Sequence, residues 1–457
     1  MPSPLIEDRP VADVSNSPFD RIAQWFRPAP AIPRKSPEEI AKAYPIFRWR
    51  IFEATFIAYA AYYLVRNNLS PVQLDLGKAM GYDKTMLGSI LASSAGAYGI
   101  GKLVLGQFAD RANAKRFLLL GLLLTAALNF AFGLSRTFPV HLFLWTLNGF
   151  VQGMGSGPCL RSLAHWYSVR ERGTVFGFWN ISHNVGGAAT GIIAAKCTEY
   201  FGWSSAFYVP GALALICAAY VSLRMYDTPQ SVGLPPIEEY SGGKEFPVGS
   251  LSSERELSLR EIVVVYLLHN RVLWLLGCAT FFAYIANYSI IDWGPTYLRE
   301  VKGASLTDGG VSIAVNEIAG IFGMLVMGWL SDRVGGRRGM VSALSMLPLI
   351  FGFQALILVP PHEIWLEFII FAVLGFFSYG PLMLMGVMSI DFTSKKAVAT
   401  AGGFIALFGY MGRMVEGQAL GWISQHYGWN LGFECVIFCV IMGFLFLCFT
   451  WNTRPRG

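Results

Sequence analysis

The chain has 457 residues, of which 54% are hydrophobic and 14% are charged, with a formal net charge of +6 at pH 7. A soluble protein carries roughly a quarter charged residues, so this composition leaves too little polar surface for a soluble globule. It excludes a soluble enzyme and favours a protein that crosses the membrane many times. The positive charge does not indicate nucleic-acid binding, because Lys and Arg are spread over short connections and form no basic patch.

Hydropathy predicts twelve membrane-spanning helices, each close to the ~20 residues that cross a hydrocarbon core. The predicted spans are 49–69, 84–108, 116–134, 138–166, 173–197, 205–224, 272–298, 309–330, 339–359, 364–390, 397–424 and 430–450. They use nearly the whole chain, so no soluble catalytic domain fits between them.

One long hydrophilic segment divides these spans into six and six. We therefore predict five parts: an N-terminal segment (1–48), a first half (49–225), a linker (226–270), a second half (271–451) and a short tail (452–457). The N-terminal segment lacks the apolar core of a signal peptide. Lys and Arg are concentrated in alternate connections, so the positive-inside rule predicts that both termini are cytoplasmic.

The pattern G-x-x-A/S-D-R ends both the second and the eighth span, at residues 106–111 and 328–333. Its recurrence six spans apart indicates duplicated halves, with a site between them near the bilayer midplane. Each copy places a carboxylate beside an arginine at a helix end: Asp110 beside Arg111, and Asp332 beside Arg333. We expect these pairs to latch the halves in one conformation. The alternative is a topogenic turn with a solvated ion pair.

Charged side chains within the spans are the most informative residues, because each costs at least ~2.5–3.5 kcal/mol at a helix centre. In the first span, Tyr59, Tyr63 and Arg66 share one predicted helix face. The planar guanidinium suits phosphate oxygens, and the tyrosines add hydroxyl donors. Tyr98 and Lys102, one turn apart in the second span, add a second positive charge. Alternatively, Arg66 snorkels to the interface and Lys102 pairs with a carboxylate.

The fifth span contains a polar cluster of Asn180, His183 and Asn184 within an apolar helix. A histidine in this setting can donate to a phosphate and change its protonation near neutral pH. Glu317 in the eighth span and Tyr379 in the tenth either line the same cavity or form hydrogen bonds between helices.

Residues 96–102 imitate a phosphate-binding loop, but Leu103 occupies the Ser/Thr position and no strand precedes it. The seven cysteines form no C-x-x-C pair and lie mostly in apolar stretches, which argues against zinc sites and disulfides. No nucleophile–base arrangement stands out. We therefore expect no cofactor, no metal and no enzymatic activity.

Several longer motifs carry a family resemblance. They are A-A-Y-Y-L-V-R-N-N (60–68), F-W-N-I-S-H-N-V-G-G (178–187), D-T-P-Q-S (227–231), G-L-P-P-I-E-E-Y (233–240) and D-W-G-P-T-Y-L (292–298). Over about residues 45–450 the chain resembles the organophosphate:phosphate antiporter family of the major facilitator superfamily. The resemblance implies an all-α integral membrane fold of twelve helices in two six-helix halves.

The same resemblance implies the activity and the site. Members exchange an organic phosphate, such as glycerol-3-phosphate, a hexose phosphate or a phosphoglycerate, for inorganic phosphate by rocking of the two halves. It implies a protein of the inner (plasma) membrane that works as a monomer in the lipid bilayer, with Arg66 as a phosphate ligand. The residues it implies around Arg66 are Tyr59, Tyr63, Tyr98, Lys102, Asn180, His183, Asn184 and Tyr379.

One departure from the family concerns charge. The family has a second arginine in the seventh span where this chain has Asn287, which supplies no charge. The eleventh span carries Arg413 and Glu416, where the glycerol-3-phosphate branch has small residues. We hypothesise that Arg413 replaces the missing charge while Glu416 holds it or shapes selectivity. The alternative is a self-contained ion pair that only makes insertion tolerable.

Two other functions remain open from the sequence. One branch of the family senses external sugar phosphate and signals instead of transporting. The other possible function is that of a facilitator for a non-phosphate anion, such as a carboxylate or phosphonate, because Asn287 weakens the expected phosphate clamp.

Overall fold

The computed structural model describes residues 24–109, 111–242, 269–393 and 398–453. Within these ranges the chain is helical and contains no strand. The helices of the first half are α1 (Pro37–Leu64), α2 (Gln73–Met80), α3 (Lys84–Ala109), α4 (Ala114–Leu134), α5 (Phe138–Gln152), α6 (Ser156–Trp166), α7 (Val169–Phe201) and α8 (Ser205–Arg224).

The linker contains the short helix α9 (Ile237–Tyr240), and the second half follows it. Its helices are α10 (Arg271–Tyr288), α11 (Gly294–Val301), α12 (Leu306–Arg333), α13 (Arg338–Leu358), α14 (Ile364–Asp391), α15 (Val398–His426) and α16 (Trp429–Cys448). A helix or a consecutive pair of helices lies at each of the twelve predicted spans, so the all-α fold is confirmed.

By length and composition, seven of the described helical segments are apolar enough to cross a membrane: α4, α8, α10 with α11, α12, α13, α14 and α16. The other predicted spans are α1, α3, α5 with α6, α7 and α15. Four of these five carry polar or charged residues of the predicted site, and the remaining one, α5 with α6, is broken into two short helices. Site residues also lie on the apolar helices α10, α12 and α14, so hydropathy alone does not separate the helices that form the site from the others.

Helix α1 begins and ends differently from the predicted span. Ser36 and Glu39 form a capping box, with Pro37 at the first helical position, so the helix starts well before residue 49. It ends at Leu64 and not at residue 69, and a turn leads into a 3₁₀ turn at Ser70–Val72. Arg66 therefore lies beyond the helix, although its backbone N–H still donates to the Tyr63 carbonyl oxygen, at 3.2 Å.

Two other predicted spans are interrupted. The fourth breaks between α5 and α6 at residues 153–155, where Gly153 packs on the backbone of Gly101 in α3. The seventh passes through a π-helical turn at Ser289–Trp293 before α11. π-helical turns are frequent at functional sites.

The two halves touch on the face opposite the described chain ends, which we call the opposite face. There α7 meets α12 so closely that a Cβ on Gly310 would lie 2.3 Å from the Gly191 carbonyl oxygen. Two ion pairs also join the halves: Asp75 with Arg299, at 2.5 Å, and Lys84 with Glu300, at 2.9 Å. The face that carries the chain ends, the terminal face, holds the mouth of the central cavity described below.

The first part of the linker is attached to the first half. Asp227 accepts hydrogen bonds from the backbone N–H groups of Ala29 and Ala114, each at 2.9 Å, and forms an ion pair with Arg161 at 3.3 Å. The N–H of Ala114 belongs to the first turn of α4, so Asp227 caps that helix. The motif at 227–231 thus joins the N-terminal segment to the helices. Residues 243–268 of the predicted linker lie outside the described residues.

Candidate functional site

A cavity of about 770 Å³ lies between the two halves. Gly173 and Gly177, at the start of α7, and Ile390, at the end of α14, line it, so it extends to the terminal face. Seven residues of the predicted site line its wall: Tyr59, Tyr63, Asn180, His183, Asn287, Glu317 and Tyr379. The structure therefore brings residues of both halves to one space, as the duplicated sequence predicts.

Six predicted site residues do not form the wall of this cavity: Arg66, Tyr98, Lys102, Asn184, Arg413 and Glu416. Most of them lie directly behind residues that do. Their contacts divide them into a group around Arg66, a group around Glu317 and a group around Arg413.

Arg66 is buried among aromatic rings. Its guanidinium carbon lies 4.0 Å from the ring centre of Tyr98, 5.1 Å from that of Tyr63 and 6.0 Å from that of Tyr410. Only 7% of the residue is exposed, and its Nη2 has no hydrogen-bond partner among the described residues. No described carboxylate lies within 4.0 Å of it. Ring faces attract the cation but do not neutralise it, so no described carboxylate balances the charge of Arg66 through an ion pair.

Lys102 lies one turn after Tyr98 in α3, as predicted. Its Nζ is 5.9 Å from the ring centre of Tyr410, a residue of the second half that lines the cavity. The side chain is exposed, and none of the described acidic groups pairs with it. The first half therefore contributes two positive charges that no described carboxylate pairs with.

The polar cluster of α7 reaches across to the second half. Asn184 donates to the Glu317 Oε2 at 2.8 Å, and the hydroxyl of Tyr379 donates to the same oxygen at 2.7 Å. Glu317 is 1% exposed, and its Oε1 has no hydrogen-bond partner among the described residues. His183 lies between Tyr63 and Tyr379, with ring centres 5.5 and 6.0 Å apart. Its Nδ1 contacts the Asn180 carbonyl oxygen.

These contacts place Arg66 and Glu317 at two ends of one aromatic row. Moving across the cavity, the order is Arg66, Tyr63, His183, Tyr379 and Glu317. The cationic end belongs to the first half and the carboxyl end to the second half. A molecule lying along this row would face positive charge on one side and hydrogen-bond acceptors on the other.

Asn287, at the position of the missing arginine, is buried in α10. Its Oδ1 accepts a hydrogen bond from the hydroxyl of Ser378, at 2.8 Å. This contact fixes the amide in the wall of the cavity without adding charge.

Arg413 forms a bidentate pair with Asp292 of the seventh span. Its Nε and Nη2 donate to the two carboxylate oxygens at 2.9 and 2.8 Å, and its guanidinium carbon lies 4.0 Å from the ring centre of Tyr288. The carboxylate that holds Arg413 in this conformation is therefore Asp292, and the pair includes no atom of Glu416. Both carboxyl oxygens of Glu416 are buried without a hydrogen-bond partner among the described residues.

The residues of the predicted latch are only partly described. Asp110 lies outside the described residues. Arg333 stacks its guanidinium over Trp329 at 4.3 Å from the ring centre. Among the described residues, neither Arg111 nor Asp332 forms an ion pair. The latch therefore stays a prediction.

Asp292 is the main residue that the sequence analysis did not select. A carboxylate inside an apolar span was the available signal, and it stands within the motif at 292–298. Tyr284, Tyr288, Tyr410 and Trp179 also line the cavity or its edge. They carried no signal, since aromatic residues at helical spacing are ordinary in a membrane interior. Among the described residues no group of three His, Cys, Asp or Glu side chains could hold a metal.

Comparison with known proteins agrees with this architecture. The family model for the Major Facilitator Superfamily matches residues 55–353 and 313–457. The chain is 38% identical over 445 residues to a probable hexose phosphate transport protein of Chlamydia pneumoniae, covering 95% of this chain and 98% of that one. It is 38% identical over 443 residues to the glycerol-3-phosphate transporter of Bacillus subtilis, covering 94% and 98%.

Structural similarity extends further. A bacterial homologue of the human lysosomal transporter Spinster, solved in an inward-facing, unoccupied conformation, superposes with a TM-score of 0.73 at 14% identity, over 90% of this chain and 99% of that one. At that identity the likeness concerns the fold alone. Together with the identities above it confirms the resemblance read from the motifs. The chain belongs to the Major Facilitator Superfamily, a family of membrane transporters, in the same branch as these phosphate-ester transport proteins.

Proposed function

We propose that this protein takes up an organic phosphate in exchange for inorganic phosphate by alternating access. The observation that carries the proposal is the buried guanidinium of Arg66, which has no carboxylate partner among the described residues and lies beside a cavity shared by both halves. Charge placed this deep is costly and normally serves transport. A phosphate is the anion that a planar guanidinium, a second cation at Lys102 and several tyrosine hydroxyls bind best.

Exchange, as opposed to one-way transport, follows from the same charge. When the halves close around an empty site, Arg66 is enclosed without a counter-ion. A bound phosphate removes this cost, and a ligand that favours the enclosed state shifts the population toward it. Return of the carrier then requires another anion, for which inorganic phosphate is suited. In this proposal the terminal face is cytoplasmic, and the protein lies in the inner membrane.

The thirteen predicted binding residues take unequal parts in the proposal. Arg66 and Lys102 bind the phosphate group, and His183 and the tyrosines of the first half surround it. The residues of the second half, Tyr379 among them, lie toward the organic group. Arg413 keeps its proposed role near the site, but its charge is shared with Asp292 in this conformation. It therefore contributes less to the net charge of the site than Arg66 does.

The test is phosphate exchange in reconstituted vesicles. Vesicles loaded with inorganic phosphate should take up labelled phosphate, and glucose 6-phosphate or glycerol 3-phosphate should compete. Arg66→Gln should reduce exchange by at least about a hundredfold, whereas Arg34→Gln, an exposed arginine paired with Glu239, should leave it unchanged. Normal exchange by Arg66→Gln would refute the proposed site. Binding of the esters without any exchange would indicate a sensor.

A further inference from the structure

The ionic groups around the cavity are distributed unequally between the two halves. The first half supplies Arg66 and Lys102, neither of which has a described carboxylate within 4.0 Å. In the second half, Arg413 is neutralised by Asp292 through two hydrogen bonds. Asn287 supplies an uncharged amide at the position where the family has an arginine. Among the described residues of the second half, the cavity wall therefore contains no lysine or arginine, and the nearby Arg413 is already paired.

What the second half does offer is carboxyl groups. Glu317 lines the cavity wall and accepts hydrogen bonds from Asn184 and Tyr379, but it has no cationic partner within 4.0 Å among the described residues. Glu416 is a second buried carboxyl group of this half, on α15 and outside the cavity wall, and neither of its oxygens has a hydrogen-bond partner among the described residues. Like charges brought together at low dielectric repel strongly, whereas hydroxyl groups donate to carboxyl oxygens favourably.

We infer that the cavity orients its substrate, with the phosphate toward Arg66 and the organic group toward Glu317. In this arrangement Glu317 favours phosphate esters of neutral polyols over esters that carry a second anionic group. The inference rests on the proposed phosphate exchange and adds the class of substrate. Esters of hexoses and of glycerol fit this arrangement, since their far ends carry only hydroxyl groups. An ester of a hydroxy acid places its carboxylate beside Glu317.

The position of Glu317 explains why it can act in this way. It is joined to Arg66 through the row of Tyr63, His183 and Tyr379, so three aromatic rings separate the two ends of the site. In this proposal the phosphate binds at the Arg66 end of the row, and Glu317 lies at the other end. The part of the substrate beyond the phosphate is the part that meets the carboxyl group.

A matched pair of ligands tests the inference. Glycerol 3-phosphate and 3-phosphoglycerate differ only in a hydroxymethyl group that is replaced by a carboxylate. In vesicles loaded with inorganic phosphate, each competes against uptake of labelled phosphate at one fixed pH. The wild-type protein should bind glycerol 3-phosphate at least about tenfold more tightly than 3-phosphoglycerate.

Two variants then identify the cause. Glu317→Gln keeps the size and the acceptor oxygen of the side chain, and it should narrow the preference to within about threefold. Asn287→Arg adds a cation to the second half and should improve competition by 3-phosphoglycerate, a gain that misfolding cannot produce. Glu199→Gln, the same chemical change at an exposed residue of the opposite face, is the control and should keep the wild-type preference.

The outcomes separate the two claims. The selection by Glu317 is refuted if wild-type vesicles exchange phosphate but bind both esters equally. It is also refuted if Glu317→Gln and Asn287→Arg keep the wild-type preference. In both cases the exchange function stands. If wild-type vesicles show no phosphate exchange at all, the proposed function fails and this inference fails with it.

Discussion

The pair of Arg413 and Asp292 gives the sharpest prediction about stability. Both residues are almost fully buried, and two hydrogen bonds of 2.9 and 2.8 Å join them. Two unit charges about 4 Å apart at an effective dielectric constant of about 20 attract by about 4 kcal/mol. Removing one partner also leaves the other charge buried and unpaired, so we expect Asp292→Asn or Arg413→Gln alone to cost about 3–5 kcal/mol.

The double variant is the informative comparison. Asp292→Asn combined with Arg413→Gln removes both charges while keeping side-chain size, so it should be more stable than either single variant. The measurement is the midpoint of thermal unfolding of the purified protein in detergent, followed by tryptophan fluorescence. The exposed pair of Arg34 and Glu239 is the control, because its loss should cost at most about 1 kcal/mol.

The double variant could also contradict this reasoning. If it is destabilised by the sum of the two single changes, Arg413 and Asp292 contribute independently and the ion pair does not hold them. Single variants with wild-type midpoints would show that neither charge needs its partner in the membrane interior.

Two further predictions concern the contacts that hold this conformation. Gly310→Val should separate the halves at the opposite face, because its side chain would overlap the Gly191 backbone. Spin labels placed on the opposite-face connections of the two halves should then move apart. Unchanged distances between the labels would mean that this contact does not close the face. Asp227→Ala should expose the N-terminal segment to added protease, because the backbone N–H groups of Ala29 and Ala114 lose their hydrogen-bond acceptor. At a helix start such an acceptor is worth about 1–2 kcal/mol. A wild-type cleavage rate would show that other contacts, such as that of Arg34 with Glu239, are enough to hold the segment in place.

The conformation and the charge distribution together describe one stage of a transport cycle. The halves are closed at the opposite face by ion pairs such as Asp75 with Arg299, while the cavity extends to the terminal face. The Asn184–Glu317 hydrogen bond also crosses between the halves, deep beside the cavity. A ligand that contacts Arg66 and Glu317 at once would therefore touch both moving parts. Under the proposed exchange, this coupling would let the halves move only when the site is loaded.

Hydropathy was enough to predict the all-α membrane fold, since the cost of burying polar groups is a local property of each segment. It did not predict the early end of α1 or the breaks in the fourth and seventh spans. The same reasoning located Arg66, Glu317 and Arg413, because a charge inside an apolar stretch is visible without knowing its neighbours.

Which charges are neutralised was decided only by the three-dimensional packing. Arg413 finds Asp292 across 121 residues, although Glu416 is three positions away in the sequence. Arg66 lies beyond the end of its helix, among the ring of Tyr63 from that helix and the rings of Tyr98 and Tyr410 from two other parts of the chain. Helical spacing predicts which residues share a face, but it carries no information about the helix that the face will meet. The balance of charge at the candidate site therefore depends on contacts between helices that are distant in the sequence.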